Sequence, residues 1–159
     1  MLVLVACSDD STDEESPLAS LKLAGIDFPL DSVLLINTGA EAVRTENLHL
    51  CQGDMCFEFN IFSIAPRATI IFDASPAGEM DPRMGEIALF DSSTFDDADS
   101  MVDYVAWGSA DQPLAQTASE ALLWSEEAFV EAPSGTIFLT RIDPASPGVE
   151  AWEPTDEIP

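Results

Sequence analysis

Positive charge is almost missing from this sequence. Lys and Arg together number 5 against 30 Asp and Glu, a formal net charge of −25. Recognition of nucleic acid needs a basic patch facing the phosphates, so that class of function is excluded. Docking on anionic lipid head groups needs the same patch and fails for the same reason. Histidine is just as scarce. His49 stands alone beside Cys7, Cys51 and Cys56, too few ligands for a tetrahedral zinc site. Glycine-rich phosphate loops and Ser/His/Asp sets are also lacking. No apolar run approaches the roughly 20 residues that a helix needs to cross a bilayer. Apolar residues as such are plentiful, at 47% of 159 residues, enough for one domain with a real core.

Helical periodicity is nearly absent as well. Short β-rich runs occur near Leu21–Ile26, Ser32–Asn37, Asn47–Cys51, Cys56–Asn60, Ala68–Phe72, Glu86–Phe90, Met101–Ala106 and Thr136–Ile142. Turn residues separate them, as in Asn37-Thr38-Gly39, Gln52-Gly53-Asp54 and Ser75-Pro76-Ala77-Gly78. This spacing argues for an all-β sandwich or barrel of about seven to eight strands. Only the stretch from Pro113 to Val130, rich in Ala, Leu and Glu, predicts a short helix, over Ala115–Leu123.

The hairpin around Gln52-Gly53-Asp54-Met55 is the best-specified local piece. If Cys51 faces Cys56, antiparallel pairing sets Leu50 opposite Phe57, His49 opposite Glu58 and Leu48 opposite Phe59. Side chains alternate between faces. Leu48, Leu50, Phe57 and Phe59 then share one face, and His49, Cys51, Cys56 and Glu58 the other. A one-residue slip would destroy that segregation, so the register is strongly specified. A disulfide there would staple the hairpin tip, with a chain-entropy contribution of about 2–3 kcal/mol.

The N-terminus carries an address. Met1 to Ala6 are apolar, and Leu4-Val5-Ala6-Cys7 resembles the lipobox of bacterial lipoproteins, in which the cysteine becomes the lipid-bearing first mature residue. Ser8 to Ser16 holds five acids and no apolar side chain, a composition that cannot bury enough surface to fold. It reads as a tether. Six residues before Cys7, none cationic, fall short of the roughly 15–30 of a secretory signal, so the expectation is that either the true start lies upstream of Met1 or the front of the signal has been lost. The expectation is export and membrane anchoring through lipid on Cys7. Ser8 after the cysteine resembles an outer-membrane destination. A start at Met1 would instead leave the chain in the cytoplasm. An exported protein can keep a disulfide, so Cys51 and Cys56 fit as the remaining pair.

From Val33 onward the order of features resembles a lamin-tail domain, an immunoglobulin-like sandwich also found in exported bacterial proteins. The segments that carry the resemblance are VLLINTGAEAV, NLHL, IAPRATIIF, GEIALFDS followed by MVDYVAWGS with its Asp-x-Val-x-Trp-Gly step, and GTIFLTRID with Trp152. Together they cover about Ser32 to Trp152. Arg67 stands where the family usually has glycine after Pro66, and the Cys51–Cys56 hairpin is not a general family feature. The resemblance implies an immunoglobulin-like antiparallel sandwich serving as a non-catalytic module for binding, anchoring or spacing. The expected organisation is a shortened lipoprotein signal over 1–7, an acidic tether over 8–18, the sandwich over 19–152 and an acidic, proline-rich tail over 153–159. The expected partner, besides the membrane, is another envelope protein or a surface polymer.

Three groups of residues invite chemistry. His49 and Cys51 lie two apart on one strand face, the spacing of a thiol–imidazole pair, but a disulfide would remove the thiol. Asp91, Asp96, Asp97, Asp99 and Asp103 follow closely enough for a loop to offer oxygens to Ca²⁺, although Val102 and Gly108 break the EF-hand pattern. Tyr104, Trp107, Trp124 and Trp152 would make a glycan-stacking platform if exposed and core packing if buried. The main expectation is a cell-envelope interaction module that needs no cofactor, with a glycan- or calcium-binding surface module as the alternative.

Overall fold

The computed structural model describes residues 17–132 and 134–156. Cys7 and the acidic run that follows it lie outside them. The described chain is an antiparallel all-β sandwich. One sheet holds β1 (Leu21–Asp27), β2 (Ser32–Asn37), β7 (Thr69–Asp73), β10 (Phe138–Arg141) and β11 (Trp152–Thr155), in the order β11-β10-β1-β2-β7. The other holds β4 (His49–Gln52), β5 (Met55–Glu58), β8 (Gly85–Phe90) and β9 (Met101–Trp107), in the order β5-β4-β8-β9. A two-residue ribbon pairs β3 (Val43–Arg44) with β6 (Ser63–Ile64).

The eight expected strands are all present, and β3, β6 and β11 are additional. Two residues are too few for any alternation to register, which is why β3 and β6 escape sequence reading. β11 contains Pro154 and sits at a sheet edge, where a missing N–H does no harm. Glu153 to Thr155, expected in a tail, therefore belong to the domain. At the other end Pro17–Ser20 form a 3₁₀ turn, and Leu18, expected in the tether, is buried in the core.

The hairpin has the expected register. His49 pairs with Glu58, Leu50 with Phe57 and Cys51 with Cys56, and the Phe59 N–H donates to the Leu48 carbonyl at 2.9 Å. Cys51 and Cys56 are disulfide-bonded, with Cα atoms 4.1 Å apart. Leu48, Leu50 and Phe59 are buried. Phe57, on edge strand β5, is half-buried and stacks on Phe72 of β7 with ring centroids 5.8 Å apart. Phe59 contacts the same Phe72 ring at 4.1 Å, so phenylalanines close this side between the two sheets.

Every residue of β9 is buried, with no alternation. The reason is that both of its faces are covered. Asp103, Val105 and Trp107 point toward the first sheet. Tyr104 and Ala106 point outward, under a flap that carries α1 (Ala115–Glu120) and Trp124; the Tyr104 and Trp124 rings meet edge-on at 5.5 Å. The helix stops three residues before its expected end. Leu122 takes φ 60°, and the N–H groups of Leu122 and Leu123 turn back to the carbonyls of Ser119 and Ala118. That is a Schellman closure with leucine where glycine is usual.

Candidate functional site

The candidate residues of the sequence do not form the sites they suggested. Cys51 is fully buried in its disulfide, so it offers His49 no thiolate. The His49 Nδ1–H faces the Asn47 carbonyl at 2.8 Å, and its ring meets Phe95 edge-on at 5.3 Å. Asp96, Asp97 and Asp99 are exposed and Asp91 is half-buried. Asp97 accepts the Asp99 N–H at 3.0 Å and thereby caps a 3₁₀ turn. Burial, and secondarily the charge of Asp97, hold the Asp91 carboxyl above its ordinary range. Asp103 points away from this loop into the core. Among the described residues no group of three His, Cys, Asp or Glu is placed to hold a metal ion.

The aromatic platform is corrected to core packing. Tyr104, Trp107, Trp124 and Trp152 are all buried. The Trp107 Nε1–H donates to the Asp81 carbonyl at 2.9 Å, and the Trp124 Nε1–H to the Ala128 carbonyl at 2.8 Å. Gly85 lies under the Trp107 ring, where a Cβ would come within 2.6 Å of Cζ2. Gly108, at φ +71°, approaches the Arg83 carbonyl so closely that a Cβ would sit 1.8 Å from its oxygen. The Trp-Gly step is thus a packing device that seats β9 against the Asp81–Met84 segment.

Two charged assemblies were invisible in the sequence. The first joins the two sheets. Asp103 Oδ2 accepts the Leu23 N–H at 2.7 Å and pairs with Arg141 Nη1, both side chains being almost wholly buried. Arg141 also donates to the carbonyls of Leu23, Asp143 and Ser146, and its guanidinium lies 5.6 Å from the Trp152 ring centroid. Burial pushes the Asp103 carboxyl up, and the charges of Arg141 and Lys22 oppose it. The second holds the flap. Glu86, 1% exposed, accepts the Tyr104 hydroxyl at 2.8 Å and the Leu114 N–H at 3.1 Å. Burial raises its carboxyl above the ordinary 4.5, against those two hydrogen bonds. Both acids serve to attach one layer to the next.

One end of the sandwich carries a cleft of about 430 Å³, lined by Ile36, Thr38, Arg67, Asp143, Pro144 and Ala145. Three tight turns frame it. In the first, the fully buried Asn37 donates to the carbonyls of Glu41 and Ile64 at 2.7 and 3.2 Å and accepts the Gly39 N–H at 2.9 Å. In the second, the Ala68 N–H closes on the Ala65 carbonyl at 3.1 Å, with Pro66 and Arg67 at the corner. In the third, Asp143 accepts the Ala145 N–H at 3.0 Å and the Ser146 hydroxyl at 2.6 Å. Those bonds hold the Asp143 carboxyl below its ordinary 3.8. Arg141 fixes the same turn from inside through Ser146. Asn37 and the Pro66 corner were legible as turn signals, but nothing local indicated that Asp143–Ala145 would join them.

No protein-family model matches this chain, and no curated protein does.

Proposed function

We propose that this chain is a non-catalytic cell-envelope lipoprotein whose folded part is a lamin-tail-like interaction or structural module. One observation carries the module reading: residues within the segments that bear the resemblance sit at structural junctions of the sandwich. Asn37 of the Asn-Thr-Gly turn ties three chain segments together. Gly108 of the Trp-Gly step admits no side chain. Arg67 adopts φ +60°, the left-handed conformation for which a family glycine would be suited. The non-catalytic part is supported by the commitments of the buried acids, since Asp103 and Glu86 are both bound to structural partners.

The address rests on the LVAC string and the acidic run behind it. One acyl chain anchors only marginally, and lipoprotein processing would add the further chains that stable anchoring needs. The test expresses the gene with its upstream region beside a Cys7→Ala version, then fractionates membranes and determines the N-terminal mass. The wild type is expected in the membrane fraction, beginning at a lipid-modified Cys7, and Cys7→Ala in the soluble one. Both forms remaining soluble with Met1 retained would overturn the address and make the module cytoplasmic.

A further inference from the structure

The five cations of this chain are Lys22, Arg44, Arg67, Arg83 and Arg141. Four have partners. Lys22 donates to the Val102 carbonyl, Arg44 lies 3.9 Å from Glu46, Arg83 lies 2.7 Å from Asp81, and Arg141 holds Asp103. Among the described residues Arg67 makes no hydrogen bond and no ion pair, in a chain with 30 acids. It is exposed, and it lines the cleft between the three turns.

Its backbone argues further that the side chain is not there for the fold. The turn Ala65–Ala68 has proline at its second position and φ +60° at its third. That is the geometry in which glycine is favoured and a Cβ is penalised. A strained non-glycine residue that lines a cleft is a reason to look for function there. The walls beside it are Ile36, Pro144 and Ala145, which are apolar, and the cleft lies in the size range of small-ligand sites. The carboxylate of Asp143 on the same rim is engaged by the Ala145 N–H and the Ser146 hydroxyl.

We propose that this cleft binds a single carboxylate carried on a small apolar body, with the Arg67 guanidinium as its recognition group. Arg suits that role because its fork of N–H donors matches a carboxylate two-on-two. The net charge of −25 does not forbid it, because repulsion from distant surface acids is screened beyond about 8 Å at physiological salt. That charge, with Asp143 on the rim, selects against polyanions and favours a ligand with one charge. A free organic acid and the C-terminal residue of a peptide share this chemistry. The site goes beyond the proposed module and does not depend on its membrane address.

The test uses the full chain, isotope-labelled, and follows amide and Arg Nε resonances. The probes are isovalerate, acetyl-Ala-Leu with a free carboxylate, and the same dipeptide as its C-terminal amide. Saturable shifts at Thr38, Arg67, Ala68 and Ala145 are expected with an acid and not with the amide. Tighter binding of isovalerate would assign the site to free acids, and tighter binding of the dipeptide to C-termini. Arg67→Gln is expected to weaken binding about tenfold or more. Arg67→Gly is expected to abolish binding while raising the melting temperature, a combination that a purely structural arginine would not produce. Absence of saturable shifts with either acid would overturn the proposal, and so would shifts that persist in Arg67→Gly.

Discussion

Asp103→Asn tests whether the two sheets are held together as the geometry indicates. The Asp103 and Arg141 side chains are 2% and 3% exposed, so neither charge is solvated from outside. Asparagine keeps one amide oxygen as an acceptor for the Leu23 N–H, removes the charge and replaces the other carboxylate oxygen by an NH2 donor. Arg141 does not deprotonate, so it is left as a buried cation without a counter-ion. Breaking a buried pair from one side destabilises by about 3–5 kcal/mol. The lower end is expected here, because Arg141 retains the carbonyls of Leu23, Asp143 and Ser146. Asp103→Leu also orphans the Leu23 N–H and should lose a further amount of about 1–3 kcal/mol. Adding Arg141→Met to Asp103→Leu removes the unpaired charge, and apolar replacement of a buried pair is often neutral. The double variant should therefore be more stable than Asp103→Leu alone, by about 2–3 kcal/mol. Urea unfolding followed by tryptophan fluorescence measures all three, provided the m-values agree. A loss below about 1 kcal/mol for Asp103→Asn, or a double variant no better than the single, would refute the pair as a sheet-to-sheet tie.

Glu86 gives a pH dependence with a definite sign. Its native carboxyl titrates above the ordinary 4.5, so its stabilising contribution is full below that value and lost as pH rises through the raised one. Glu86→Gln stays neutral throughout, and its stability relative to wild type should improve from about pH 4 to about pH 7; a flat or falling difference would contradict the burial argument. Leu122 is 84% exposed at φ 60°, so Leu122→Gly should stabilise by about 0.5–1 kcal/mol in thermal melts, and a lower melting temperature would show that the leucine has a packing role. Gly108→Ala places a Cβ on the Arg83 carbonyl and should destabilise by about 3 kcal/mol or more, visible as lost soluble yield or an early melt. Cys51→Ser with Cys56→Ser should lower stability by about 2–3 kcal/mol without moving the hairpin register, which cross-strand amide contacts in NMR would report.

Features decided within one or two strands were legible in the sequence alone. Period-two alternation set the hairpin register residue by residue, because a one-residue slip would have put Leu48 and Leu50 on one face with Cys56 and Glu58. The same alternation put Asp103, Val105 and Trp107 on one side of β9 and Tyr104 and Ala106 on the other. Alternation does not say what lies over each side. The outward face of β9 became core because the later segment that carries α1 and Trp124 folds back across it, and this turned an apparent aromatic platform into packing. Asp103 left the acidic loop for Arg141, 38 residues later, a pairing that no local spacing encodes. The Arg67 cleft likewise exists only because three separate turns meet at one end of the sandwich. Local sterics and side-chain period act between near neighbours and are written in the sequence; burial and charge pairing depend on which distant segments come together, and the tertiary structure decided those.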